Sequence, residues 1–183
     1  MRLLVVLTAA ALAACGPLPG APERGPLLRT SATEYEAEAT PHGYRARIPF
    51  TFTNRTGGPV HLPNCRGDFA PNLQQRTAEG AWEDVWAPIH NDCLSIPPPV
   101  VPPGGALRDT LVLFAAPAQG DHPLMRRMGR LHADLAARGR GGPYRLAWQA
   151  EQALASFDAH ARPFGPPLPP EQRASNPFTL RVR

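Results

Sequence analysis

The sequence predicts an all-β domain, a two-layer sandwich of about seven or eight strands with one short helical insertion. Three observations lead there. Apolar side chains recur with period two through most segments rich in β-branched and aromatic residues. Glycine and proline, 16 and 24 of 183 residues, gather between those segments as turn signals. Only one stretch, about 122–138, changes to helical spacing. Beyond residue 30 the chain is long enough for one domain with one core.

The chain opens with a leader. Arg2 precedes the apolar run Leu3 to Ala11, and Leu12-Ala13-Ala14-Cys15 follows. A helix of about twelve residues rises only about 18 Å, short of a hydrocarbon core of roughly 30 Å, so the run reads as the apolar part of an export signal. The four residues resemble the lipobox of bacterial lipoproteins. That resemblance implies a diacylglyceryl group on the Cys15 sulfur, cleavage just before Cys15, and a new amine open to acylation. Residues 1–14 are then a signal peptide, and the mature chain hangs from a bilayer of the bacterial cell envelope. Gly16 is not the aspartate associated with inner-membrane retention, which points to the outer membrane in a Gram-negative source. An ordinary secretory signal cut after Ala11, Ala13 or Ala14 is the alternative.

Residues 15–30 form a Pro/Gly-rich tether. The run Gly16 to Pro26 has prolines at 17, 19, 22 and 26 and no apolar periodicity. In the polyproline II conformation, at about 3.1 Å per residue, it reaches roughly 30 Å.

The domain then fills 31–183. In Thr33 to Thr40, Tyr35, Ala37 and Ala39 alternate with Glu34, Glu36 and Glu38, the pattern of a half-buried strand with an acidic outer face. Pro41-His42-Gly43 turns the chain. Tyr44, Ala46, Ile48, Phe50 and Phe52 alternate with Arg45, Arg47, Thr51 and Thr53 in the clearest strand of all. Asn54 to Gly58 is a turn into a short strand with Val60 and Leu62 on one side. Leu73 to Ala78 and Ala81 to Trp86 read as a hairpin about Glu79-Gly80. Pro97 to Pro103 belongs on an edge or in a loop. After Gly104-Gly105, Leu107 to Phe114 is again a strand. Leu124, Met128, Leu131 and Leu135 recur at spacings of four, three and four, which predicts the helix, with Asp121 as its N-cap and Gly139 at its far end. Tyr144, Leu146 and Trp148 restore period two after Gly141-Gly142-Pro143. Residues 153–174 are a proline-rich excursion, and Phe178, Leu180 and Val182 mark a closing strand.

Phe50 to Asn54 before a Gly-Gly turn, Trp82 and Trp86 between two cysteines, Pro103-Gly104-Gly105 before a strand, and Gly142-Pro143-Tyr144-Arg145-Leu146 together resemble an immunoglobulin-like β-sandwich. Their order is also similar to that in the bacterial intracellular proteinase inhibitor family, whose domain is such a sandwich, over about Tyr35 to Trp148. The two cysteines, the helical insertion and the export signal depart from that family, so no inhibitory residue is carried over. An immunoglobulin-type core tryptophan is expected among Trp82, Trp86 and Trp148.

The mature chain carries 18 arginines, no lysine and 15 acidic residues, a small excess spread along the sequence that gives no basis for nucleic-acid binding. With Cys15 lipidated and export into an oxidising compartment, Cys65 and Cys93 are expected to form a disulfide. A zinc site from His61, Cys65, His90 and Cys93 is the competing use of the same thiols. His122, Met125, Met128 and His132 carry ligands that suit Cu(I), though Met128 shares its helical face with core leucines. Arg126, Arg127, Arg130, Arg138 and Arg140 are positioned to meet anionic lipid headgroups or to form a solvated face. No nucleophile elbow, phosphate loop or dinucleotide fingerprint occurs, and neither an enzyme nor a cofactor is expected.

The function expected is that of a lipid-anchored envelope protein acting as a binding or structural module, its partner an envelope protein or ligand. Loops Asn64 to Asn72 and Pro88 to Pro103 are the sites to examine first. A protease inhibitor presenting Ile96 to Pro103 is the alternative, and an envelope metal-binding protein the third.

Overall fold

The computed structural model describes residues 26–62, 70–88, 99–118, 120–148, 156–157, 163–164 and 168–183. Twelve strands and two helices occur among them. They are β1 (Leu28–Thr30), β2 (Glu34–Thr40), β3 (Gly43–Thr53), β4 (Val60–His61), β5 (Asn72–Arg76), β6 (Trp82–Trp86), β7 (Val100–Val101), β8 (Ala106–Ala115), α1 (Pro123–Arg138), β9 (Arg140–Ala147), β10 (Ser156–Phe157), β11 (Pro163–Phe164), α2 (Pro170–Arg173) and β12 (Phe178–Val182). The all-β expectation holds.

β3 organises the sheet because both of its edges are used. One edge pairs with β8 from Tyr44↔Ala115 to Thr53↔Ala106. The other pairs with β2 near Ala46 and with β1 near Phe52. β2 then leaves β3 and lies parallel to β12, with Tyr35 opposite Leu180, and the order continues β12-β9-β5-β6. The connected sheet doubles over into two facing layers. Across the gap the Trp148 ring meets Phe50 and Phe52 edge-on, at centroid distances of 6.3 and 5.9 Å. Ala46, Ile48, Phe50 and Phe52 of β3 join Leu73, Tyr144, Leu146, Phe178 and Leu180 in one core.

The layers have two distinct ends. Where β3 finishes, the β3–β8 ladder continues past a corner into β4–β7, with Val60 opposite Val101. Asn54 makes that corner. Its side chain is fully buried, donates to the Gly58 and Val101 carbonyls (both 2.8 Å), and accepts from the Thr56 N–H (2.9 Å) and hydroxyl (2.6 Å). At the opposite end, α1 touches β6, β9 and β12 on one side and β8 and β3 on the other, so it bridges the two groups of strands. Leu131 and Leu135 supply its buried stripe.

Several expectations are corrected. The tether ends earlier than residue 30: Leu27 and Leu28 are inaccessible, the Thr53 N–H donates to the Leu27 carbonyl (2.8 Å), and Leu28–Thr30 is a strand. Three residues are too few to show a period. The helix begins at Pro123, and its first backbone bond runs from the Arg126 N–H to the His122 carbonyl (3.0 Å), which moves Asp121 outside the cap. Gly139 does close it, at φ +63° with its N–H on the Leu135 carbonyl (3.0 Å). The strand expected from Tyr144 begins earlier, since Gly141-Gly142-Pro143 is already part of β9. It forms a bulge against β12 between Leu180↔Gly141 and Phe178↔Tyr144. The proline-rich stretch, by contrast, keeps its expected place on an edge: Val100–Val101 pairs with β4 in a two-stranded ladder, and Val101 is buried.

Candidate functional site

α1 carries the charged groups that most need an explanation. A helix start ordinarily favours acidic side chains, because unpaired N–H groups leave partial positive charge there. This one has no acidic residue in its first turn, which holds Arg126, and Arg127 and Arg130 follow in the second. The three lie one and four positions apart, hence on adjoining faces. None of them enters an ion pair among the described residues. Gly129, between them, lets the helix approach the loop after β8: a Cβ there would stand 2.8 Å from the Ala118 backbone.

The facing wall is the β5–β6 hairpin. Antiparallel register sets Arg145 of β9, Gln74 of β5 and Asp84 of β6 in one row across three strands. The row is wired. Arg145 Nε donates to Gln74 Oε1 (2.8 Å), Gln74 Nε2 donates to Asp84 Oδ1 (3.0 Å), and Asn72 Nδ2 donates to Asp84 Oδ2 (3.2 Å). The Arg145 guanidinium lies over the Trp82 ring at 4.4 Å, a cation–π contact that fixes the indole. Burial pushes Arg145 below its ordinary value, and the Asp84 carboxylate opposes that shift.

Between the two walls is an open cleft of about 700 Å³ lined by Gln74, Trp82, Glu83, Asp84, Pro123, Arg126, Arg127 and Arg130. It offers guanidinium donors on one side, carboxylate acceptors on the other, and an indole between them. Among the described residues these three guanidiniums have no ionic partner, so the cleft is suited to holding an anion.

The arginines expected to act together are therefore divided. Arg126, Arg127 and Arg130 line this cleft, whereas Arg138 and Arg140 line a second one of about 370 Å³ with Glu34, Asp134 and Thr179, where Arg138 meets Asp134 at 4.0 Å. Of the copper set, only His132 lines a cleft among the described residues. His132 packs against Tyr44 (5.4 Å between rings) and lines a cleft with His42 and Thr40 in which His122, Met125 and Met128 take no part. His61 is half-buried on β4, while Cys15, Cys65, His90 and Cys93 lie outside the described residues, as do most of the two expected binding loops. Of the three tryptophans, Trp148 takes the core position at 3 % exposure, and Trp82 and Trp86 are half-buried. The Arg145–Gln74–Asp84 row escaped the sequence reading, since its members are 71 and 10 residues apart and only strand register joins them.

Compared with known proteins, the chain matches no family model, no curated protein and no solved structure.

Proposed function

We propose that this chain is a lipid-anchored protein of the bacterial envelope whose immunoglobulin-like sandwich is a non-catalytic binding module, with the arginine cleft as its ligand site. The observation that carries this reading is the opposition of two poles. The chain enters the domain at Leu27, beside Thr53 and Gln172, and the cleft lies at the other end of β3. Ten residue steps at about 3.3 Å separate those ends by roughly 33 Å. A lipid at Cys15 would thus join the domain through the tether at the pole opposite the arginines. Layers of β1-β3-β8 and β6-β5-β9-β12, with β2 crossing between them, support the immunoglobulin-like assignment.

Anionic headgroups stay among the ligands open to Arg126, Arg127 and Arg130, because a tether of roughly 30 Å does not fix which pole faces the bilayer. The entry pole also bears on the cysteines. The Leu62 N–H donates to the Pro99 carbonyl (3.0 Å), so the segments holding Cys65 and Cys93 adjoin residues that are already bonded together. This supports a disulfide, and thiol titration of denatured, unreduced protein tests it: two free thiols refute it.

The test of the whole reading uses the full chain expressed in bacteria. Palmitate labelling should be lost in Cys15→Ala, and the protein should move from membrane to soluble fraction. The mature protein should be retained on a phosphorylated matrix and eluted by lower salt when Arg126, Arg127 and Arg130 are all changed to Gln. An unmodified amino terminus refutes the anchor, and unchanged retention refutes the cleft.

A further inference from the structure

We infer that the ligand of the arginine cleft is an acidic sugar, a saccharide unit bearing a phosphate or carboxylate, rather than a bare anion or a charged surface. The inference rests on the cleft being the binding site and asks what else its walls select. Glu83 and Asp84 line the same space as the three arginines. A site evolved for inorganic phosphate or a flat anionic membrane gains nothing from carboxylates facing its ligand, because like charges at contact range repel. They are useful to a ligand that brings hydroxyl donors together with its negative charge.

The charge balance separates this ligand from a zwitterion carrying an ammonium group. Asp84 is already met by the Gln74 and Asn72 amides and stands near Arg145, which leaves Glu83 as the main acceptor against three guanidiniums. Neutral donors suit that remainder better than a cation. Trp82 supplies the third element. An indole held by Arg145 offers an apolar edge to the C–H groups of a pyranose ring, and the volume, about 700 Å³, is that of an ordinary small-ligand site. Arginine forks take the phosphate or carboxylate in bidentate fashion.

Titration calorimetry of the mature full chain with glucose 6-phosphate, glucose and inorganic phosphate tests the assignment. Glucose 6-phosphate should bind at least tenfold more tightly than either fragment. Trp82→Ala should remove most of that advantage while leaving phosphate affinity within twofold, and Glu83→Gln should remove it while raising phosphate affinity, since a repelling carboxylate is lost. Equal affinity for phosphate and glucose 6-phosphate overturns the sugar and leaves the anion-binding module standing. Displacement of glucose 6-phosphate by phosphatidylglycerol vesicles at equal headgroup concentration overturns the sugar in favour of a membrane surface. Failure to bind any of these anions overturns both the sugar and the cleft, and the circular dichroism of each variant verifies that it is folded.

Discussion

At the entry pole Asn54, Phe50, Phe52 and Trp148 are almost inaccessible and every hydrogen-bonding position of the Asn54 amide is filled, whereas at the helical pole three arginines stand beside a helix start without an ionic partner among the described residues. The entry pole is also pinned by the end of the proline-rich excursion. The Leu27 N–H donates to the Gln172 carbonyl (3.2 Å), Asn176 exchanges bonds with Thr30 (3.0 and 2.8 Å), and the Ser175 hydroxyl accepts from the Leu146 N–H (2.9 Å). Among the described residues the Asn54 amide of one end is met within the fold, and at the other the ligand proposed above would supply the counter-charge. A local rule broken without internal compensation is where function is expected to sit.

That contrast can be broken most forcefully at the aromatic junction. Trp148→Ala leaves a large cavity between the layers and should lower unfolding free energy by about 3–5 kcal/mol, measured by urea denaturation. A loss below 1 kcal/mol would mean the layers are not joined there. Asn54→Ala comes next, at about 3 kcal/mol, because the buried Val101 carbonyl and the half-buried Gly58 carbonyl lose the Asn54 amide as donor. If Asn54→Ala is as stable as the parent, the corner is held by the ladder alone.

At the helical pole the effects shrink. Gly129→Ala brings a methyl group against the Ala118 backbone and should cost about 1–3 kcal/mol by overpacking, with anion affinity falling as the helix is displaced. Changing Arg126, Arg127 and Arg130 together to Gln should leave stability unchanged or raise it by about 0.5 kcal/mol, since positive charge near a helix start is unfavourable. Loss of stability in that variant would show that the arginines serve the fold.

Tyr144 sharpens the comparison through pH. Burial pushes its phenol well above the ordinary value near 10, the Asp134 carboxylate adds to the shift, and Arg138 opposes it. The native state thus favours the neutral phenol. Its contribution is full below pH 10 and declines as pH rises further, while the unfolded chain ionises first. The hydroxyl is buried with no hydrogen-bond partner among the described residues, so Tyr144→Phe should cost nothing at neutral pH and should reduce alkaline unfolding. A Tyr144→Phe protein that is less stable at pH 7 would reveal a partner for that oxygen.

The period-two runs fixed most strands in advance, from Glu34–Thr40 through Gly43–Thr53 to Phe178–Val182, and the leucine spacing fixed α1. Each of these signals lies within one element, where the backbone repeat alone decides which side chains share a face. β1 and the bulge at Gly142-Pro143 were hidden, the first because three residues carry no period and the second because the same residues also make turns.

What the sequence determined by itself was the class of most segments and the arginine-rich first half of α1. Which of those arginines act together, that Trp148 rather than Trp82 fills the core, and that Arg145, Gln74 and Asp84 form one row were decided only by tertiary structure. The reason is physical. Side-chain periodicity is a property of neighbouring residues, while a site between a helix and a hairpin depends on register and packing between segments whose separation along the chain leaves no local trace.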